Sequence, residues 1–152
     1  MENLYILIAR LIQEAQYIQH NIALIVTYSD IWNKYQNHEN ITVEELMSIH
    51  EQAWLFNKEL AKCTLGRVIW HCQNSKAFSK TTIALLYEYL KIRNYYAHEF
   101  FIHNHSKLQN YDLIVDELKL LNKYIKEFQQ LNYNLSLLVN EKRTMVKTIK
   151  IR

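Results

Sequence analysis

A chain of 152 residues that contains no proline and a single glycine, Gly66, has few ways to reverse direction tightly. Average usage would place roughly eight prolines and ten glycines in this length. Two-residue hairpins, glycine-rich phosphate loops and tight strand crossovers all depend on those residues, so their scarcity argues against each of them. An all-α fold is what remains. Apolar residues make up 49% and charged residues 22% of the chain, the balance of a globular protein with a packed core. The length suits one domain, residues 1–152.

Helical periodicity supports that reading. Leu4, Leu7, Leu11, Ala15, Ile18, Ile22, Ile25 and Val26 recur at three- and four-residue steps, which predicts a helix from Glu2 to about Tyr35. The polar stretch 36–40 interrupts it. Thr42 and Glu45 then have the spacing of a capping box, and a second helix is expected from Val43 to about Gln73. Its inward residues would be Leu46, Ile49, Ala53, Phe56, Leu60 and Val68, with a bend at Gly66. A third helix is expected from Lys80, fading in the polar run 103–110. Asn110 can cap a fourth, running to about Asn140 with Leu113, Leu120, Leu121, Ile125, Phe128, Leu131, Leu135 and Leu138 inward. Four long helices with short connections describe an antiparallel four-helix bundle, here with a short C-terminal segment.

The chain carries 18 basic and 15 acidic residues, a mild excess that does not by itself imply nucleic acid. The excess is concentrated near the C-terminus. Residues 142–152 contain Lys142, Arg143, Lys147, Lys150 and Arg152 with no acid, a basic tail that could follow a phosphate backbone or simply be solvated. Glu2 stands where a secretory leader would carry positive charge, and no apolar run is long enough to span a bilayer. Cys63 and Cys72 are too few for a disulfide framework. The expectation is a cytoplasmic protein without membrane attachment.

Chemistry concentrates in residues 91–101, KIRNYYAHEFF. On a regular helix Asn94 and His98 lie about 40° apart on one face, whereas Arg93 is about 140° from His98. Arg93 must therefore swing round on its long side chain, or the helix must distort. Together the three residues join an imidazole, an amide able to orient it and a permanent cation. Those are parts that RNA cleavage can use without a metal: the 2′-hydroxyl is the nucleophile, a histidine can move protons near neutrality, and a guanidinium matches phosphate with two donors. One motif supplies one such histidine; a symmetric homodimer with the motif on its axis would supply two. Tyr95 and Tyr96 lie within the motif and could stack on RNA bases or pack in the bundle.

An Arg93, a polar Asn94, three further residues and His98 in an all-helical chain of this size resemble the HEPN domain. The match in motif covers six residues, and the remainder is architecture. The resemblance implies a metal-independent endoribonuclease, dimeric, cutting RNA to 2′,3′-cyclic phosphate and 5′-hydroxyl ends, in the role of a toxin or effector in toxin–antitoxin or anti-phage systems. It also implies an antitoxin partner, which in one branch is a nucleotidyltransferase that modifies a tyrosine two residues after the motif histidine. That position here is Phe100, a departure that counts against the same modification at that place. The alternative is a non-catalytic helical module binding RNA, a nucleotidyltransferase or an antitoxin through the same cleft.

Neither reading calls for a metal or a cofactor. His98, His103 and His105 lack a carboxylate or thiolate at ligand spacing. Cys63 and Cys72, nine residues apart, would point to opposite faces of a continuous second helix, which argues against zinc held by them with His71. No phosphate-binding loop, dinucleotide fingerprint or HExxH motif is present.

Overall fold

A computed structural model describes residues 2–150. The described residues form an all-α structure: α1 (Glu2–Gln36), α2 (Val43–Ala61), α3 (Leu65–Ser75), α4 (Lys80–Asn94), α5 (Phe100–His103) and α6 (Tyr111–Lys147). A π-helical turn, Tyr95–Glu99, joins α4 to α5, and a 3₁₀ turn, Lys107–Gln109, precedes α6.

The helix starts follow local chemistry. Thr42 and Glu45 close the expected capping box, with the Glu45 backbone N–H donating to the Thr42 hydroxyl and the Thr42 N–H donating to the Glu45 carboxylate. The bond from the Thr42 N–H holds the Glu45 carboxyl below its ordinary range. Asn110 caps α6 by accepting from the N–H groups of Asp112 and Leu113.

The expected second helix is two helices. Thr64 takes an extended conformation and accepts from the Arg67 N–H at 3.3 Å, so it ends one helix and caps the next. Gly66 falls in the first turn of α3 and not at a bend. A Cβ there would stand 3.3 Å from Leu90 Cδ2, so its missing side chain allows α3 to lie close to α4.

This extra reversal changes the direction of everything that follows. Thr27 and Asn57 bond across α1 and α2 while Gln19 reaches the Cys63 carbonyl, so those helices are antiparallel. Gln73 bonds Tyr87 while Gly66 faces Leu90, so α3 and α4 are antiparallel as well. Asn132 meets Glu14 and Asn21, and Arg143 meets Tyr28, so α6 runs parallel to α1. An antiparallel four-helix bundle would have its first and last helices opposed; the turn at 62–64 adds a helix and aligns them.

The α1 stripe forms the centre. Leu4, Leu11, Ile22 and Ile25 are wholly buried against Leu121 and Phe128 of α6, Val68 and Ile69 of α3, and Leu86 of α4. A smaller cluster joins Ile31, Ile41, Ile49 and Ala53, with Val146 and Ile149 packed on it. That packing carries α6 past the expected end at Asn140 to Lys147. Three expected inward residues, Phe56, Leu113 and Leu120, are exposed.

Lys76 closes α3 with φ 57°, the left-handed conformation that glycine adopts without strain. A side chain in that region costs about 1 kcal/mol. Lys76→Gly is therefore expected to stabilise the fold by up to about 1 kcal/mol, read as a higher denaturant midpoint. A lowered midpoint would show that the lysine side chain outweighs the backbone strain.

Candidate active site

The motif lies where α4 gives way to the π turn. Arg93 and Asn94 are the last residues of α4 and His98 is the fourth residue of the turn. In a π turn the hydrogen bond runs from residue i to i+5, and here the Phe100 N–H donates to the Tyr95 carbonyl. Each turn then takes in an additional residue, and residues five apart come closer to alignment than the 140° of a regular α-helix. Arg93 and His98 are five apart. The distortion that the spacing requires is thus present inside the motif.

The Arg93 guanidinium donates from Nη1 to Asn94 Oδ1 at 2.8 Å. Asn94 consequently holds the arginine and not His98, as the spacing had suggested. Arg93 is half-buried and has no carboxylate within ion-pair distance among the described residues. Glu88, which could have neutralised it, is bonded to Lys91 at 3.2 Å. His98 and Glu99 are exposed. The motif therefore carries an imidazole open to solvent and a guanidinium without a carboxylate partner among the described residues.

The two tyrosines belong to the interior. Tyr96 is 2% exposed, and its hydroxyl donates to the Glu117 carboxylate of α6 at 2.6 Å. Burial, then the bond to Glu117, raises the Tyr96 phenol above its ordinary range, so it stays protonated and donating. Its face packs against Phe100 and Tyr124. Tyr96 therefore cannot present a ring to an RNA base, which corrects its place among the RNA-binding residues. Tyr95 is half-buried; its ring stands edge-on to Tyr96 and Phe100, and its hydroxyl accepts from Asn104 Nδ2 at 2.7 Å.

Sequence reasoning missed Asn104 and Glu117. Asn104 reads as part of a polar loop, yet it is 4% exposed and its Nδ2 also donates to the Phe100 carbonyl at 2.8 Å. Glu117 is one acid among several on α6. The only hint was that tyrosine hydroxyls in an apolar setting require partners.

The basic C-terminal residues lie elsewhere. Lys142, Arg143 and Lys147 are in α6, and Arg143 donates from Nε to the Tyr28 hydroxyl at 3.2 Å with its guanidinium over that ring. Lys150 follows the helix and is exposed; Arg152 is outside the described residues. From Glu117, beneath the motif, to Lys142 is about 37 Å along α6 at 1.5 Å per residue. The structure joins Arg93 to Asn94, with His98 four residues further on in the adjoining π turn, and α6 carries the basic residues away from the motif.

No group of three or more potential metal ligands is assembled among the described residues. The opposed-face argument for the cysteines loses its premise, since Cys63 lies in the turn between α2 and α3. Cys72 is fully buried, and burial pushes its thiol up to about 12, which suits a packing residue. No described helix is long and apolar enough to cross a membrane.

No family model, curated protein sequence or solved structure matches this chain.

Proposed function

We propose that the chain is a metal-independent endoribonuclease of HEPN type, with His98 as the acid/base, Arg93 as the phosphate clamp and Asn94 as the residue that sets the guanidinium. The observation that carries the reading is the π turn inside the motif, a backbone form that brings residues five apart closer to one face than a regular α-helix does, with an exposed His98 and an Arg93 that has no carboxylate partner among the described residues.

The chemistry needs little else. A base removes the proton from the 2′-hydroxyl, the 2′-oxygen bonds to phosphorus, the bond from phosphorus to the 5′-oxygen breaks, and an acid protonates that oxygen. The products are a 2′,3′-cyclic phosphate and a 5′-hydroxyl. The guanidinium stabilises the extra negative charge on the phosphorane. Since the base and the acid act on opposite sides of the phosphorus, two copies of His98 serve best, and a homodimer supplies them. Ile102 and Tyr111, respectively 76% and 78% exposed close to the motif in sequence, are apolar surface for the second copy to cover. A toxin or effector role, with an antitoxin partner, follows from the family resemblance.

Arg93→Ala is expected to lower cleavage of single-stranded RNA by about 10²-fold or more, as removal of one charge-stabilising donor does elsewhere. Arg93→Lys should restore only part of it, because an ammonium lacks the planar fork. Cleavage unchanged in Arg93→Ala would remove the arginine from the mechanism and, with it, the family assignment.

A further inference from the structure

The π turn at the motif is an uncommon backbone form, and it has identifiable supports outside itself. A π turn is held against the α-helical alternative only when surrounding contacts favour it. Three hydrogen bonds, one buried and two partly buried, meet it from two residues outside it. Asn104, beyond the end of α5, binds the Tyr95 hydroxyl and the Phe100 carbonyl with one amide group, clamping the first residue of the turn to the residue just past it. Glu117, from α6, binds the hydroxyl of Tyr96, the second residue of the turn. Between them the rings of Tyr95, Tyr96, Phe100 and Tyr124 pack edge to face or tilted at 5.1 to 6.3 Å, so the turn has little room to rewind.

We infer that Asn104 and Glu117 are positioning residues for the Arg93–His98 pair: through the hydroxyls of Tyr95 and Tyr96 they hold the π turn that aligns the guanidinium with the imidazole. The functional consequence rests on the ribonuclease reading, whereas the structural one does not. Neither residue touches the substrate. Losing either bond lets the segment relax toward an α-helix, which moves His98 away from Arg93 while each side chain remains intact.

Four variants separate this from a general loss of stability. Glu117→Leu and Tyr96→Phe both delete the bond to α6, the second while keeping the ring in the core. Glu117→Gln keeps an oxygen that accepts from the Tyr96 hydroxyl and serves as the conservative rescue. Asn104→Ala removes the clamp. Circular dichroism establishes that each is folded. Hydrogen exchange by NMR then reads the Phe100 amide, which makes the i to i+5 bond, against the core amides of Ile18 and Ile22. RNA cleavage is measured in parallel as kcat and KM.

The expected result is faster exchange at Phe100 but not at Ile18 or Ile22 in Tyr96→Phe, Glu117→Leu and Asn104→Ala. Their kcat should fall about 10- to 100-fold at unchanged KM, the scale of a small misplacement at a reacting centre. Glu117→Gln should stay within a few-fold of the parent in both readouts. The proposal is overturned if Phe100 stays protected in all three disruptive variants, if kcat falls without that loss of protection, or if Glu117→Gln is as impaired as Glu117→Leu. If the parent protein cuts no RNA, the ribonuclease reading fails by itself. The exchange data then still decide whether Asn104 and Glu117 hold the turn.

Discussion

Replacing His98 with alanine should reduce RNA cleavage by about 10²- to 10⁴-fold, the contribution of a positioned proton-transfer group, and leave the fold as it was. His98 is exposed and makes no hydrogen bond to any other described residue, so its removal opens no cavity and strands no buried partner. The expected signature is inactivity with unaltered helicity, thermal midpoint and oligomeric state. A large loss of stability would point to a structural role. Cleavage at the parent rate would remove His98 from the mechanism. Arg93 differs in this respect, because it is half-buried and bonded to Asn94, and its variants require a check of folding before any kinetic interpretation.

The largest effect on stability is expected at Phe128. Its side chain is wholly buried on α6, and its ring stacks on Tyr89 of α4 at 4.5 Å, tying the helix that carries the motif to the longest helix of the molecule. Phe128→Ala should cost about 3–5 kcal/mol, combining lost burial with the cavity left behind. A domain of this size commonly has about 5–15 kcal/mol in total, so the variant would be marginal at physiological temperature. Urea unfolding followed by circular dichroism measures the loss. A cost below about 1 kcal/mol would mean that the neighbouring side chains collapse into the space, contrary to the close packing of this core.

What could be read directly from the residues was what they determine locally. The all-α class followed from the absence of proline and the single glycine. The starts of α2 and α6 followed from Thr42 with Glu45 and from Asn110, because a cap bonds residues two or three positions away. The break at 62–64 was hidden by an apolar stripe that continues through it from Leu60 to Leu65 and Val68, leaving Thr64 as the sole signal. The run of α6 to Lys147 depends on Val146 meeting a cluster built from α1, α2 and the segment between them. Burial of individual residues was the least legible property. The three- and four-residue rule marks a face but does not say how far a neighbouring helix extends along it, and Phe56, Leu113 and Leu120 are left more than a third exposed.

The candidate site divides in the same way. Arg93, Asn94 and His98 could be selected from spacing and residue chemistry, and the mismatch of 140° indicated that something had to give. That the backbone gives, and where, depends on Asn104 and on Glu117, which is 21 residues beyond the tyrosine it binds. Tyr96 was ambiguous for the same reason: an aromatic residue within a motif can face a ligand or the core, and only the position of α6 decides. The basic residues from Lys142 onward form a cluster in sequence, but α6 carries them away from the motif. A single RNA touching both ends would have to span the length of the helix.

The most direct test of the central claim is incubation of the purified protein and its His98→Ala variant with single-stranded RNA in EDTA, followed by analysis of the fragment ends. The account predicts that the parent alone cuts, leaving 2′,3′-cyclic phosphate and 5′-hydroxyl ends. Intact RNA in both tubes, or equal cleavage in both, would contradict it.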